Sequence, residues 1–318
     1  AYADGASTLK TIELLNEFDR DNKNFFLTVG FQKPHLPFTP PKKYWDLYQR
    51  DDIKLAEFQS KSIGSPQEAY HRSGELRNYH DTEPSMDENG IVSEAKQREL
   101  IHGYMASVSF IDAQVGMILD HLESTGMDEN TVVVFFGDHG WHLGDHGLWN
   151  KHSNFEEATR TPLIFKSPDI DGGFVNDSPV ELLDIFPTVC TLAGIPKPDD
   201  LDGISLVPIL EKKSEYLRDF AISQYPRRCN VMRSVIGRYP DDCTLMGYAV
   251  RNEKYRYIAW VSGDFEDRSN FNNDEIVMEE LYDYEIDPLE TKSYASDASY
   301  QKVKEEMIKD LRSVIWEK

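Results

Sequence analysis

The sequence predicts an α/β domain, a sheet of buried strands covered by helices, followed by a small antiparallel sheet with one helix. Three observations carry this reading. Segments with apolar residues at three-and-four spacing alternate with short strands apolar on both faces, the pattern of a sheet buried between helices. After about residue 205 the chain changes to Tyr-, Val- and Ile-rich runs separated by turns. The 318 residues suffice for about two domains of roughly 150 residues each. The expected division is residues 1–204 for the α/β part and 205–318 for the smaller α+β part.

Thr8 to Phe18 reads as a helix, with Leu9, Ile12, Leu14, Leu15 and Phe18 apolar. A polar turn leads to Phe25–Phe31, a predicted buried strand. QKPHLPFTPPKKY follows, where Pro34, Pro37, Pro40 and Pro41 oppose regular structure. Residues 50–92 are polar and aperiodic, an irregular excursion. Residues 93–123 form one long helix by spacing, through Leu100, Tyr104, Val108, Ile111, Val115, Ile118 and Leu122, with Ser93 as N-cap. Thr131–Gly137 and Thr161–Ser167 are further buried strands, and VELLDIFPTVCTLAG is a helix stopped at Gly194. The C-terminal part offers DFAISQYP, MGYAVRNEKYRYIAWV with a hairpin turn at NEK, EELYDYEID, and a closing amphipathic helix over 297–317.

Composition excludes several classes. Hydrophobic residues make up 40% of the chain and aromatics 12%, so it is no disordered tract. No apolar run approaches the ~20 residues of a membrane helix. The net charge of −22 opposes nucleic-acid binding by the overall field, so a polyanionic partner must meet a local cluster of Lys and Arg. Cys190, Cys229 and Cys243 are too few for a disulfide framework and lack zinc-knuckle spacing. Cys229 and Cys243 bracket an insertion and are candidates for one disulfide, with Cys190 reduced and buried in a helix. The chain starts on Ala and enters a helix at once, which reads as the C-terminal part of a longer protein.

The chemistry concentrates in TVVVFFGDHGWHLGDHGLWNKHSNF, residues 131–155. Asp138 and His139 follow Gly137 at the carboxyl end of a strand, the edge where open α/β sheets place ligands. The glycines at 140, 144 and 147 argue against a helical zinc pair built on His142 and His146. Asp138 is a hard oxygen ligand suited to Ca²⁺, and Lys151 is a point cation suited to an oxyanion.

This segment resembles the second half of a sulfatase active site, within the alkaline-phosphatase-like superfamily. The likeness extends through KPHLPF, GYMASVSFIDAQVG, ATRTPLIF, SQYPR and MGYAVRNEKYRY, in order along nearly the whole chain. The resemblance implies an α/β sulfatase sheet and hydrolysis of sulfate esters by a formylglycine made from Cys or Ser in C/S-x-P-x-R, with Ca²⁺ holding the sulfate. It implies metal positions at Asp138 and His139. It implies a sulfate contact for Lys151 and a catalytic proton donor in His35. Arg160, Arg227 and Arg228 lie in or beside family-like segments; their guanidinium groups suit a uronate carboxylate or an extra sulfate. His142 and Trp149 are candidate substrate contacts, and Trp141 is read as packing. Asp145 is either a substrate contact or an orienting residue.

One departure stands out. No C/S-x-P-x-R motif is present, and the N-terminal metal carboxylates of the family are missing. The expectation is therefore a nucleophile and a further Asp from an N-terminal segment of the same protein, with a sulfated, uronate-containing glycan as substrate and an exported compartment as location. Two other readings compete. A phosphatase or phosphodiesterase of the same superfamily needs two zinc ions and more His and Asp ligands than can be placed. A catalytically dead glycan-binding relative would keep Lys151 without a nucleophile.

Overall fold

The computed structural model describes residues 2–82, 91–228, 244–262 and 276–315. Its helices are α1 (Ala3–Arg20), α2 (Lys42–Trp45), α3 (Gly74–Arg77), α4 (Glu94–Thr125), α5 (Glu156–Thr159), α6 (Ile185–Leu192), α7 (Val207–Leu210) and α8 (Gln301–Ile315). Its strands are β1 (Val133–Phe136), β2 (His142–Leu143), β3 (Trp149–Asn150), β4 (Leu163–Lys166), β5 (Ala221–Arg228), β6 (Thr244–Arg251), β7 (Tyr255–Ser262) and β8 (Ile276–Asp283). The chain forms two compact units, residues 1–56, 75–133 and 165–171 in one, residues 57–74, 134–164 and 172–318 in the other.

In the first unit the expected long helix is α4. Ser93 occupies its N-cap position, though its side chain makes no capping bond, and Gly126 ends it in the left-handed conformation at φ 75°. Leu15 of α1 packs with Leu122 and Met127, and Phe25, Leu27 and Ile118 close that cluster. Tyr44, Phe110 and Ile111 form a second one against Phe31. The stretch 25–31 is extended, but no described strand pairs with it, so it carries no ladder. Its alternation survives as packing: Phe25, Leu27 and Phe31 face the helices while Phe26 is 83% exposed. Asp4 accepts from the backbone N–H of Gln32 at 2.7 Å and of Lys33 at 3.3 Å, fixing the entry to the KPHLPF loop. The Lys33–Pro34 and Leu36–Pro37 bonds in that loop are cis.

The second unit is built on a four-stranded antiparallel sheet in the order β5-β6-β7-β8. The β6–β7 turn is set by Asn252, whose Oδ1 accepts from the N–H of Lys254 and of Tyr255. Alternation sorts the side chains to two faces. Leu245, Ala249, Ile258, Trp260 and Tyr282 pack with Ala69, Tyr70, Leu148 and Phe155. Tyr248, Val250, Tyr257, Ala259, Val261 and Leu281 pack with Met307 and Leu311 of α8. The sheet and helix expected beyond residue 205 are therefore present. Compact packing does not divide the chain at residue 204, because rings from residues 70 and 155 enter the core of this sheet.

A buried Arg ties the loop before α5 to the sheet. Arg256 is 1% exposed; its Nη1 donates to the Asn154 carbonyl at 2.6 Å and its Nε to Tyr284 Oη at 2.7 Å. It also pairs with Glu156 and with Glu290. β1 and β4 form a separate two-stranded sheet. Phe135, Phe136 and Ile164 on it are 36%, 48% and 58% exposed, so the burial predicted for both faces is not reached among the described residues. Cys190 is a free, buried cysteine of α6, as expected. The expected Cys229–Cys243 bridge and Arg228's side chain lie outside the described residues.

Candidate active site

Asp138 and His139 stand at the end of β1. Gly137 N–H donates to the Pro162 carbonyl at 3.1 Å and Gly140 N–H to the Ala158 carbonyl at 2.9 Å, pinning this corner to the 158–162 segment. The approach is close enough that a Cβ on Gly140 would sit 2.0 Å from the Glu157 carbonyl oxygen. Only glycine fits there. The Asp138 carboxylate projects to solvent, 86% exposed, with His139 Nε2 at 3.7 Å from Oδ2. His139 Nδ1 lies 2.8 Å from the Gly140 carbonyl, which can only accept. Nδ1 therefore carries a hydrogen, and Nε2 is the ring nitrogen turned toward Asp138, able to offer its lone pair when unprotonated.

A short hairpin returns the chain to this corner. His142 pairs with Asn150 and Leu143 with Trp149, with Gly144 at φ 107° and Gly147 at φ 70° making the turn. The pairing carries Lys151 back over Trp141: its Nζ lies 5.0 Å from the ring centroid, a cation–π distance. Trp141 in turn lies near-parallel to His139, 6.1 Å between ring centroids. Asp138, His139, Trp141 and Lys151 thus form one continuous array, three of them the residues singled out from the sequence.

Beneath the array is a sealed polar chain. His142 is fully buried, with Nδ1 2.7 Å from Asp145 Oδ2 and Nε2 2.7 Å from Ser153 Oγ. The order Ser–His–Asp is that of a nucleophilic triad. Ser153 is only 4% exposed, however, and its Oγ also accepts from Phe155 N–H. No substrate reaches it in this structure. The chain instead fixes the turn after Lys151, where Ser153 N–H donates to the Lys151 carbonyl at 2.8 Å. Asp145 therefore orients His142, one of its two expected roles. His142, expected to touch substrate, does not reach the surface.

Other expectations are revised by burial and bonding. Trp149 is 4% exposed and packs inside, so it offers no face to a sugar. Arg227 reaches the right loop, but its guanidinium donates to the carbonyls of Glu68 at 2.9 Å, of Ala69 and of His152. It clamps two loops together, with its donors already engaged by peptide oxygens. Arg160 is exposed just past α5. His35 belongs to the other unit; its Nδ1 lies 2.8 Å from the Leu36 carbonyl and its Nε2 lies 3.8 Å from Glu75.

Sequence reasoning missed His71, which sits in the polar 50–92 stretch with no periodic signal. Its Nδ1 accepts from Ser73 N–H at 2.9 Å, and its buried Nε2 has no hydrogen-bond partner. Burial, with His142, Arg227 and His152 nearby, lowers its pKa to about 3, so it is neutral at pH 7. It also missed Glu157, whose carboxyl is raised to about 7 by burial and then by Glu290 and Asp145.

Among the described residues, two groups of side chains are close enough to share a metal ion: His142, Asp145 and Glu157, and His146, Glu157 and Glu290. Neither includes Asp138 or His139. Those two fit one edge of a cation site, since the carboxylate is accessible and the imidazole lone pair faces it. They supply two donors where calcium takes six to eight.

A sulfatase family model matches residues 2–195, and a second, described as N-sulphoglucosamine sulphohydrolase, C-terminal, matches residues 144–317. The chain is 32% identical to iduronate 2-sulfatase of Mus musculus, over 93% of this chain and 62% of that protein. It is 30% identical to a sulfatase of Formosa agariphila, over 91% of this chain and 50% of that one. It therefore spans little more than half the length of these curated relatives. A solved structure in complex with its substrate D-glucosamine-2-N,6-O-disulfate superposes over 98% of this chain and 69% of its own, with TM-score 0.73 and 21% identity. A 2-O glycosaminoglycan sulfatase superposes over 98% of this chain and 64% of its own, with TM-score 0.64 and 24% identity. At such identity the structures establish the fold, an alkaline-phosphatase-like sheet with a small C-terminal antiparallel sheet and helix. With a family model matched over residues 2–195 and relatives aligned along nearly its entire length, the chain belongs to the sulfatase family.

Proposed function

We propose that the protein hydrolyses sulfate esters of a uronate-containing glycan, using a formylglycine nucleophile supplied from outside these 318 residues. The observation that carries this reading is the array at the end of β1: a solvent-facing carboxylate, an imidazole beside it, and Lys151 held over Trp141. The uronate part rests on the name of iduronate 2-sulfatase, the relative at 32% identity, and on exposed Arg160.

Asp138 and His139 would hold the calcium ion, which when bound neutralises charge on the sulfate oxygens. Lys151 places its ammonium where a sulfuryl oxygen gains negative charge, which favours the transition state over the ground state. Trp141 keeps that ammonium in place. His35 is proposed to hold the proton for the departing alcohol at Nε2, with Nδ1 occupied by the Leu36 carbonyl. The partner segment upstream would bring the nucleophile and at least one more Asp. No described helix is long and apolar enough to cross a membrane. An exported compartment is part of the proposal, on the strength of the family.

The test measures sulfate released from a sulfated uronate-containing oligosaccharide by the intact protein, with Lys151→Ala and His35→Ala as variants. Loss of one such contact lowers turnover by about 10²–10³-fold. Near-normal turnover in a variant removes that residue from the mechanism. A wild-type protein that releases phosphate but not sulfate supports the phosphatase reading, and one that binds the glycan without turnover supports a dead relative.

A further inference from the structure

Three electron-rich atoms, an imidazole nitrogen and two carboxylate oxygens, lie close together in the second unit. His146 is 3% exposed, and its ring is fixed by stacking on Phe155 at 4.1 Å between centroids. Ser62 Oγ donates its one hydrogen to the Glu290 carbonyl, so toward His146 Nδ1, at 3.3 Å, it accepts. The hydrogen of the neutral imidazole is therefore on Nδ1, and the Nε2 lone pair points away from Ser62. It faces Glu157 Oε2 at 3.8 Å and Glu290 Oε2 at 3.9 Å, both beyond hydrogen-bond distance. Glu157 Oε2 is buried without any hydrogen-bond partner. Arg256 and Tyr284 bind the other oxygen of Glu290, and Oε2 accepts from Glu156 N–H at 3.1 Å, which leaves that oxygen one lone pair for an ion.

We propose that His146 Nε2, Glu157 Oε2 and Glu290 Oε2 bind one transition-metal dication, Zn²⁺ before Ca²⁺. Three such atoms within 4.8 Å of one another repel each other unless a metal ion or a proton lies among them. A tetrahedral zinc with bonds of about 2.1 Å spaces its ligands by about 3.4 Å, within about half an ångström of the 3.8 Å and 3.9 Å from His146 Nε2 to the two carboxylates. An imidazole nitrogen with two carboxylates suits zinc better than the all-oxygen, high-coordination shell of calcium. The Ser62 bond to Nδ1 is the outer-shell contact that orients a ligating histidine. The competing group of His142, Asp145 and Glu157 is excluded, because both nitrogens of His142 are already bonded. The ion would join the Lys151 hairpin and α5 to the turn at Glu290, which makes it a structural tie for the loop that carries the array.

The experiment is calorimetric titration of the chelator-treated intact protein with ZnCl₂ at pH 7.5, in an Asp138→Asn background to silence the exposed carboxylate. One ion per chain is expected. Glu157→Gln, which keeps side-chain volume at a partly exposed position, should weaken binding by more than the ~10–100-fold attached to outer-shell contacts. X-ray absorption of the zinc-loaded background protein should report one imidazole nitrogen with oxygen donors, which keeps the proposal testable if a variant misfolds. No stoichiometric zinc, zinc retained in Glu157→Gln, or a shell without imidazole each overturns it and leaves a shared proton as the occupant.

Discussion

Glu280 is the clearest handle on how pH acts on this fold. It is fully buried on β8, with Oε1 accepting from Trp260 Nε1 at 2.8 Å and Oε2 accepting from the Tyr282 hydroxyl. Burial raises its pKa from 4.5 to about 7, against those two hydrogen bonds, and Glu290 adds to the rise. The folded state therefore holds the proton more firmly than the unfolded chain. Its contribution to stability is complete below pH 4.5 and is lost as the pH rises to about 7. Each pH unit in that window removes about 1.4 kcal/mol, so between about pH 5.5 and about pH 8 the loss is ~2 kcal/mol. Glu280→Gln removes the titration and keeps the contacts, since its carbonyl accepts from Trp260 and its amide donates to the Tyr282 oxygen. Thermal melts of both proteins at the two pH values should show the variant gaining on wild type by ~2 kcal/mol, about 4–8 °C, toward alkaline pH. Glu290 titrates in both proteins and largely cancels. A stability gap that stays constant, or narrows with rising pH, refutes the argument.

Two further outcomes follow from the packing. Arg256→Met leaves Glu156 and Glu290 without their shared cation and should cost about 3–5 kcal/mol in urea unfolding, with part regained when Glu156→Gln is added. Gly140→Ala forces a Cβ against the Glu157 carbonyl and should displace Asp138 and His139, lowering turnover and calcium affinity together; unchanged calcium binding would mean that the corner tolerates the shift.

Long-period patterns were legible because each is a repeated signal. Leu100 to Leu122 announced α4, and the Tyr- and Val-rich runs announced β5 to β8. The 25–31 strand was not borne out, since an apolar run records burial and says nothing of whether a neighbour's backbone is there to pair. That Asp138, His139 and Lys151 share one corner was legible because glycines and strand ends bring close sequence neighbours together. The rest of the site is long-range. Glu290 lies 134 residues from the Glu156 N–H that it accepts, and Arg227 reaches carbonyls 159 and 75 residues away. A side chain's role as donor to a ligand or donor to a carbonyl is decided by such partners. That is why Arg227 and Trp149 read as surface groups in the sequence and lie engaged or buried in the fold.

The proposed activity sets an acidic protein against a polyanion, which raises a field problem. At net charge −22, distant carboxylates repel a sulfated chain. At physiological salt this repulsion fades beyond roughly 8 Å, the screening length, so what decides binding is the charge within a few ångströms of the sulfate. There the balance reverses. Lys151 lies over Trp141, Arg160 is exposed near the same corner, and a dication at Asp138 would convert the nearest carboxylate from a repelling group into a ligand. A fixed ammonium is worth more than a mobile one, because no reorganisation is needed as charge develops. The buried Ser153–His142–Asp145 chain, the Arg227 clamp on the His152 carbonyl and the Asn154 link to Gly247 all act on the four residues that include Lys151 or follow it. On the proposed function, rigidity of that turn, set by the C-terminal sheet, is what would let one lysine work against so many acids.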